Sequence, residues 1–367
     1  MKIKLDNNNI ITFIFIFAYF FFLIYSFFGH IIIFHQYLQI FVMCSILCLV
    51  MLILVQFKSY TNNEVVVLIV LLIISILCFF ESKDSSLIKL TLFIYASKMV
   101  DLKKCFKYDL ILRIILFSIL ICLSYFGVAE DVISYYENNM RHSLGFTNPN
   151  ALAMQSLIIS FECILVYFND KGLIIVILVL LFNVLINIYS GSRTSIFIIM
   201  IGLILILLYK YIPNIYKTKL VKSIIIHSFI IFMIITFVLV FLFNSGNNTI
   251  VKFDYILSYR LTNISYYLQM LPLKLFGQDL SFFNRTLDSC YAFITIGMGI
   301  IPTLVYGLFF YKMFKFIYKK REYLLLIIMF CFIIYGLSER LWLSIDYNFF
   351  VILLSVAIFK KDIYSNY

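Results

Sequence analysis

The chain of 367 residues is 64% hydrophobic and 19% aromatic, whereas only 13% of its residues are charged. Its mean hydropathy is +1.05. Soluble globular domains contain about 45–50% apolar and 25% charged residues, so this composition excludes a soluble domain and predicts an integral membrane protein. Most of the basic residues behind the formal net charge of +11 lie beside apolar segments. Membrane topology explains that charge without a nucleic-acid partner.

Long apolar segments recur from one end of the chain to the other. A helix needs about 20 residues to cross a bilayer core, and twelve segments predict an all-α polytopic membrane protein with residues 1–367 in a single membrane domain. The first follows MKIK without a small-residue cleavage site and is expected to be a retained anchor. The fourth is the weakest, because it is short and contains two lysines. The segments are 10–28, 38–57, 65–80, 87–100, 110–128, 150–168, 172–189, 194–211, 222–243, 286–311, 323–338 and 343–359.

The basic residues predict the orientation of these helices, because lysine and arginine accumulate in cytoplasmic loops. With the N-terminus inside, the predicted cytoplasmic segments carry 20 of the 29 basic residues, Arg113 among them. Both termini are therefore expected to lie in the cytoplasm.

The arginines are distributed across the predicted membrane differently from the lysines. Eighteen of the 22 lysines fall inside, whereas five of the seven arginines fall outside. A guanidinium group stays charged and presents a planar set of donors suited to phosphate. Four of the five lie just before, or in the first turn of, a helix predicted to start outside, and helix N-termini attract anions. The alternative is that such arginines extend to the interface or pair with carboxylates. The five are Arg141, Arg193, Arg260, Arg285 and Arg340.

The stretch RHSLGFTNPN, at 141–150, introduces the sixth predicted helix. Asn148 is a favourable N-cap and Pro149 suits the first helical position. Arg141 and His142 are therefore expected just above an outward-facing helix N-terminus.

The stretch SGSRTS, at 190–195, repeats this arrangement at the eighth predicted helix. Gly191 permits a tight turn, and Ser192 is a candidate N-cap. Two helix ends and the guanidinium groups of Arg141 and Arg193 are predicted to face one anion.

The largest predicted outer loop, about 244–285, lies between the ninth and tenth predicted helices. Apolar residues from Ile250 to Leu275 follow steps of three and four, which predicts an amphipathic helix along the membrane interface. It is expected to continue to Pro272, with Arg260 at the edge of its apolar stripe. The alternative is a plain packing helix.

Three acidic residues are singled out by their positions. Asp288 lies within a turn of the start of the tenth segment, and Glu339 lies in the loop that contains the only tryptophan. Each suits a general base or a salt bridge to an arginine. Glu162 falls in the middle of the sixth segment, where an ionisable group suggests a buried proton site or a packing contact. The chain lacks an Asp-x-Asp pair, a Walker loop and an HExxH motif, so neither a nucleotide nor a metal is indicated.

In its C-terminal two thirds the chain resembles the Wzy-type polysaccharide polymerases of bacterial envelopes, which are related to O-antigen ligases. The resemblance rests on the order and spacing of six stretches, namely RHSLGFTNPN at 141, SGSRTS at 190, DYILSYRL at 254, LFGQDL at 275, LDSCYAFITIGMGIIP at 287 and GLSER at 336. It implies a GT-C-like membrane fold in the bacterial cytoplasmic membrane, with an outward-facing site. It also implies metal-independent, inverting glycosyl transfer without a cofactor.

The substrate implied by this resemblance is an undecaprenyl-diphosphate-linked oligosaccharide that is polymerised as repeat units. Arg141, Arg193 and Arg260, followed by Arg285, are expected to bind the diphosphate. The base is expected among His142, Asp288 and Glu339. The lipid bilayer, a chain-length regulator and a flippase of the same pathway are the expected partners. A glycan ligase and a lipid-linked glycan flippase or transporter are the alternatives.

Overall fold

The computed structural model describes residues 7–136, 139–345 and 347–360. These ranges contain sixteen α-helices and one two-stranded antiparallel hairpin. The helices are α1 (Asn7–Phe28), α2 (Ile32–Val55), α3 (Asn62–Ser82), α4 (Ser86–Ala96), α5 (Leu102–Tyr125), α6 (Pro149–Lys171), α7 (Leu173–Ser190), α8 (Arg193–Tyr211), α9 (Lys219–Ile226), α10 (Ser228–Asn244), α11 (Asn248–Ile256), α12 (Arg260–Met270), α13 (Cys290–Ala292), α14 (Ile300–Lys319), α15 (Tyr323–Tyr335) and α16 (Leu354–Phe359). The hairpin strands are β1 (Ile133–Tyr136) and β2 (Asn139–His142).

This architecture agrees with an all-α multi-pass membrane protein, although with fewer spans than the twelve expected. Among the described helices, seven are long and apolar enough to cross a membrane, or eight if α9 and α10, which meet at 68°, form one broken span. The fourth segment forms only the 11-residue helix α4, whose side chains are mostly buried. The twelfth forms a 3-10 helix at Phe349–Leu353 followed by the six residues of α16. Short apolar helices of this kind are typical of a protein core.

The tenth segment is interrupted at Gly299. A π-helix covers Phe293–Met298, and α14 begins only after Gly299, whose φ is +104°. The backbone N–H groups of Ile300 and Ile301 donate to the carbonyls of Lys274 and Leu275. A Cβ atom on Gly299 would lie only 2.3 Å from the backbone nitrogen of Gly277, which is too close for any side chain. Only glycine is therefore accommodated at this position.

We therefore expect Gly299→Ala to destabilise the protein by more than the roughly 1–3 kcal/mol that its backbone conformation alone would cost. The readout is thermal unfolding followed by the fluorescence of the single, buried Trp342. Gly246→Ala is the control, because Gly246 also has a positive φ of +75° but a Cβ there would meet nothing within 4 Å. Equal melting temperatures for the two variants would contradict the close packing at Gly299.

Arg113 does not lie in a cytoplasmic loop as its position suggested. It is fully buried in α5 and donates hydrogen bonds to Asp109, Gln155 and Tyr19 at 3.0, 2.8 and 2.6 Å. Because α5 begins at Leu102, Arg113 lies about 16 Å along the helix. At that depth an arginine is tolerated only where polar groups pair with it.

The two ends of the helix bundle differ in their basic residues. α14 is long enough, at about 30 Å, to carry its C-terminus to the end of the bundle opposite its start. At that end five lysines surround a cavity of about 690 Å³, the lysine cavity. The next helix, α15, begins there and runs back toward the opposite end. The lysines are Lys312, Lys315, Lys319, Lys320 and Lys360.

Candidate functional site

The ends of α6, α7, α8, α12 and α15 meet at the other side of the bundle, which we call the arginine end. Arg141 Nε donates to the carbonyl of Ser190, the last residue of α7, at 2.6 Å. Ser195 in α8 and Tyr335 in α15 are joined through their hydroxyls at 2.8 Å. Arg260, the first residue of α12, binds the carboxylate of Glu339 just after α15. Four segments that are distant in sequence, around residues 141, 190–195, 260 and 335–339, thus meet at this end of the bundle.

The hairpin of β1 and β2 turns Arg141 and His142 in different directions. Successive side chains on a strand point to opposite faces. Accordingly, Arg141 contacts Ser190 and Asn150, whereas His142 Nδ1 lies 2.6 Å from an oxygen of Asp131. His142 was predicted as a candidate base beside Arg141, but it contacts a different set of residues.

Asp131 stabilises the chain reversal that follows the hairpin. Its Oδ1 atom accepts hydrogen bonds from the backbone N–H groups of Ser143 and Leu144, at 2.9 and 2.8 Å. Partial burial tends to raise the pKa of Asp131, but the hydrogen bonds from His142 and these amides outweigh it and lower the pKa below its usual value. Asp131 therefore contributes to stability when it is ionised.

We expect Asp131→Asn to lower the free energy of unfolding at neutral pH by about 1 kcal/mol, because asparagine keeps an acceptor oxygen but loses the charge that strengthens these hydrogen bonds. A depressed pKa contributes stability above the unfolded value of about 3.9 and loses it as the pH falls further. The wild-type protein should therefore approach the variant in acid, which unfolding followed at Trp342 will measure. Glu130→Gln is the control, since Glu130 is exposed and lies one residue before Asp131. A wild-type advantage that persists at low pH would contradict this role of Asp131.

The N-terminus of α6 has the predicted cap. Asn148 Oδ1 accepts from the amide of Ala151 at 2.9 Å, and Pro149 is the first helical residue. Asn150, one residue further, accepts a hydrogen bond from Arg141 Nη2 at 2.6 Å. The start of α6 therefore helps to hold the Arg141 guanidinium in place.

The N-terminus of α8 has no side-chain cap from Ser192. Ser192 occupies the N-cap position, but its hydroxyl donates to Ser195 at 3.2 Å and accepts no backbone amide. Gly191 makes the predicted tight turn with φ +55°. Arg193 is exposed in the first turn. The first amides of α8 are thus not capped by Ser192, and a positive helix end lies beside Arg193.

Arg141 and Arg193 line one cavity of about 390 Å³, the Arg141 cavity. None of the described residues that line it is acidic. The amide oxygen of Asn187, on the same wall, is buried and has no hydrogen-bond partner. A buried polar atom of this kind is normally satisfied. The cavity therefore combines excess positive charge with unused hydrogen-bonding capacity, which suits an anionic ligand that carries hydroxyl groups.

Arg260 is placed by a break that the sequence pattern did not reveal. The single amphipathic helix expected up to Pro272 is instead divided into α11 and α12, because Ser258 and Tyr259 have φ values of +56° and +60°. Asp254 accepts hydrogen bonds from the amides of Leu261 and Thr262, at 2.7 and 3.2 Å. Its buried carboxylate thereby caps α12 and makes Arg260 the first residue of a new helix.

Arg260 and Glu339 form a nearly buried ion pair, with Nη2 2.6 Å from Oε1 and side-chain exposures of 8% and 12%. Burial raises the pKa of Glu339 to about 7, and the charge of Arg260 only partly opposes this. Asp288 raises the pKa further, whereas Arg141 lowers it. A pKa near neutrality suits a general base, which makes Glu339 the base candidate favoured by the geometry.

Arg285 and Asp288 lie in a second cavity of about 550 Å³, the Arg285 cavity. Arg285 stacks on Tyr266 with its guanidinium carbon 4.4 Å from the ring centroid, and Arg340 stacks on Phe293 at 4.1 Å. The four basic and three acidic residues of its lining make it nearly neutral, in contrast to the Arg141 cavity. The charged residues are Lys83, Lys89, Arg285, Arg340, Asp84, Asp279 and Asp288.

Neither Arg285 nor Arg340 lies at a helix start as predicted. The helix that follows Arg285 begins at Cys290, and the one that follows Arg340 is a 3-10 helix that begins at Phe349. The intervening segments pack on each other instead, since the amide of Cys290 donates to the Gly336 carbonyl at 2.8 Å. Aromatic stacking, not a helix end, positions these two arginines.

Sequence reasoning did not identify Asn187, Ser195 and Tyr335. A signal for the first was present, because Asn183 and Asn187 stand four residues apart in an otherwise apolar segment. Among the described residues, no group of three or more His, Cys, Asp or Glu side chains is arranged to hold a metal ion.

Comparison with known protein families, curated proteins and solved structures finds no match to this chain. The geometry of the arginine end is therefore the basis for inferring its function.

Proposed function

We propose that this protein is a Wzy-type polysaccharide polymerase with a GT-C-like fold. It moves a growing glycan from undecaprenyl diphosphate onto the sugar of a second lipid-linked repeat unit. The observation that carries the proposal is the Arg141 cavity, which presents two guanidinium groups and no described carboxylate beside the start of α8, where Ser192 forms no side-chain cap. A diphosphate matches this arrangement in charge and in its need for hydrogen-bond donors.

The arginines act on the leaving group. As the glycosidic bond breaks, negative charge accumulates on the diphosphate oxygens, and fixed donors stabilise that charge more in the transition state than in the bound substrate. The hydrogen bonds from Arg141 to Ser190 and Asn150 fix its guanidinium before substrate arrives. Arg193, exposed in the same cavity, supplies the second positive charge.

Glu339 is the base that accepts the proton of the acceptor hydroxyl. With a pKa of about 7 it is ionised in a large fraction of molecules at neutral pH and still basic enough to take a proton. Arg260 orients the carboxylate through the 2.6 Å contact. Inverting transfer needs a base on the face of the sugar opposite the leaving group. The donor diphosphate is assigned to the Arg141 cavity and the acceptor sugar to the nearly neutral Arg285 cavity.

The distribution of charge supports the orientation of the site. The lysine cavity at the end of α14 belongs on the cytoplasmic side, where lysine accumulates. The arginine end then faces outward from the bacterial cytoplasmic membrane, with both termini inside.

A deletion strain of the bacterium that encodes this protein tests the proposal. Without the protein, surface glycan is expected to carry single repeat units, and re-expression is expected to restore a ladder of longer chains on a gel. A deletion strain that still makes long chains but attaches none of them to its acceptor would contradict the proposal and identify a ligase.

A further inference from the structure

A second polar cluster lies in the core of the bundle, away from the arginine end. It joins three helices through Tyr19 in α1, Asp109 and Arg113 in α5, and Glu162 in α6. The side chains of Asp109, Arg113 and Glu162 are 0–1% exposed. Glu162 lies 13 residues after Pro149, which places it about 20 Å along α6 from the end that holds the diphosphate site. The proposed glycosyl transfer does not use this cluster.

The charges in the cluster do not balance if every group is ionised. Asp109 and Glu162 supply two carboxyl groups, and Arg113 is the only base among them, with its Nε atom 3.0 Å from Asp109 and 3.7 Å from Glu162. Gln155 on α6 and Tyr19 on α1 contribute neutral groups, and Cys163 on α6 is the next titratable side chain. From another side, the 3-10 helix Phe349–Leu353 packs the ring of Phe349 against Tyr19.

The hydrogen bonds point to the same imbalance. Arg113 donates to Asp109, Gln155 and Tyr19, while both oxygens of Glu162 have no donor. An ionised carboxylate without donors in a region closed to water costs several kcal/mol. Glu162 and Asp109 are, however, within hydrogen-bonding reach of each other. Two carboxylates only accept, so that bond requires a proton on one of them.

We propose that Asp109 and Glu162 hold one proton between them, a proton-binding site enclosed within the membrane core. Arg113 balances the single remaining negative charge of these two carboxyl groups. The shared proton supplies the donor that the Glu162 oxygens otherwise lack. Like-charged carboxyl pairs in other sites titrate as a unit for the same reason.

Infrared difference spectra of the full-length protein in lipid test this proposal. At about pH 9, Glu339, with its pKa of about 7, is ionised and contributes only a carboxylate band. Subtracting the wild-type spectrum from that of Glu162→Gln is expected to show the loss of one carboxylic-acid carbonyl band and no loss of carboxylate. Asp109→Asn should give the same result. The melting temperature of Glu162→Gln should be unchanged, since an amide resembles a protonated carboxyl in shape and polarity.

Glu64→Gln is the matched control. Glu64 pairs with Lys98 near the start of α3, and its replacement should remove a carboxylate band. Arg113→Gln, if it folds, should gain one carboxylic-acid band, because both acids then carry protons. Loss of a carboxylate band in both Glu162→Gln and Asp109→Asn would overturn the proposal. The spectra do not depend on glycan transfer, so their outcome is independent of the proposed function.

Discussion

Replacing Glu339 by glutamine is expected to slow glycan chain extension severely while leaving the protein folded in the membrane. Glutamine keeps the size of the side chain and a hydrogen-bond acceptor for Arg260, but it cannot accept the proton of a hydroxyl group. General-base catalysis contributes about 10²–10⁴-fold to rate, and a loss in this range is expected. The measurement is the rate at which purified protein releases undecaprenyl diphosphate from a lipid-linked repeat unit.

The pH dependence gives a second test of Glu339. The ionised carboxylate is the active form of a base, so the wild-type rate should rise with pH and level off above the pKa of about 7. This rise should be absent from the residual rate of Glu339→Gln. His142→Gln is the control, because the side chain of His142 contacts Asp131 and His142 is not among the described residues that line the Arg141 cavity. An inactive His142→Gln with an active Glu339→Gln would transfer the role of base to the histidine.

Replacing Arg193 by lysine is expected to reduce chain extension by about 10²–10³-fold, the usual cost of removing one donor to a developing oxyanion. Lysine keeps the positive charge at the start of α8 but loses the planar pair of donors that binds two phosphate oxygens at once. Long chains should disappear from the gel, and single repeat units should remain at a normal level of the protein.

Arg321→Lys is the matched control for this substitution. Arg321 lies between α14 and α15, at the end of the bundle opposite the arginine end, so the same chemical change should leave the chain-length distribution intact. If Arg193→Lys also leaves chain length intact, the Arg141 cavity does not bind the leaving group.

The sequence predicts the local features of the arginine end well, because they depend on a few neighbouring residues. Asn148 and Pro149 identify the start of α6, and Gly191 identifies the turn before α8. The hydrophobic segments likewise identify the longer helices. Other segments have the same apolar composition but do not form continuous spans, because they are too short or contain a glycine at which the helix is interrupted. The tenth segment, which is interrupted at Gly299, is an example.

The contacts between distant segments could not be predicted, since they depend on how the helices pack. The pairing of Arg260 with Glu339 joins residues 79 positions apart. Nor does the spacing of apolar residues indicate that Asp254 would divide the loop helix and cap α12. Arg113 was misplaced for a related reason, because its partners Tyr19 and Gln155 lie on other helices.

One reaction tests the central claim most directly. Purified protein is incubated with the undecaprenyl-diphosphate-linked repeat unit of the organism that encodes it, and both the glycan lengths and the released lipid are measured. The proposed mechanism predicts lipid-linked glycans in whole multiples of the repeat unit, with one undecaprenyl diphosphate released for each new bond. Release of the lipid without longer glycans, or no reaction in the folded protein, would contradict it.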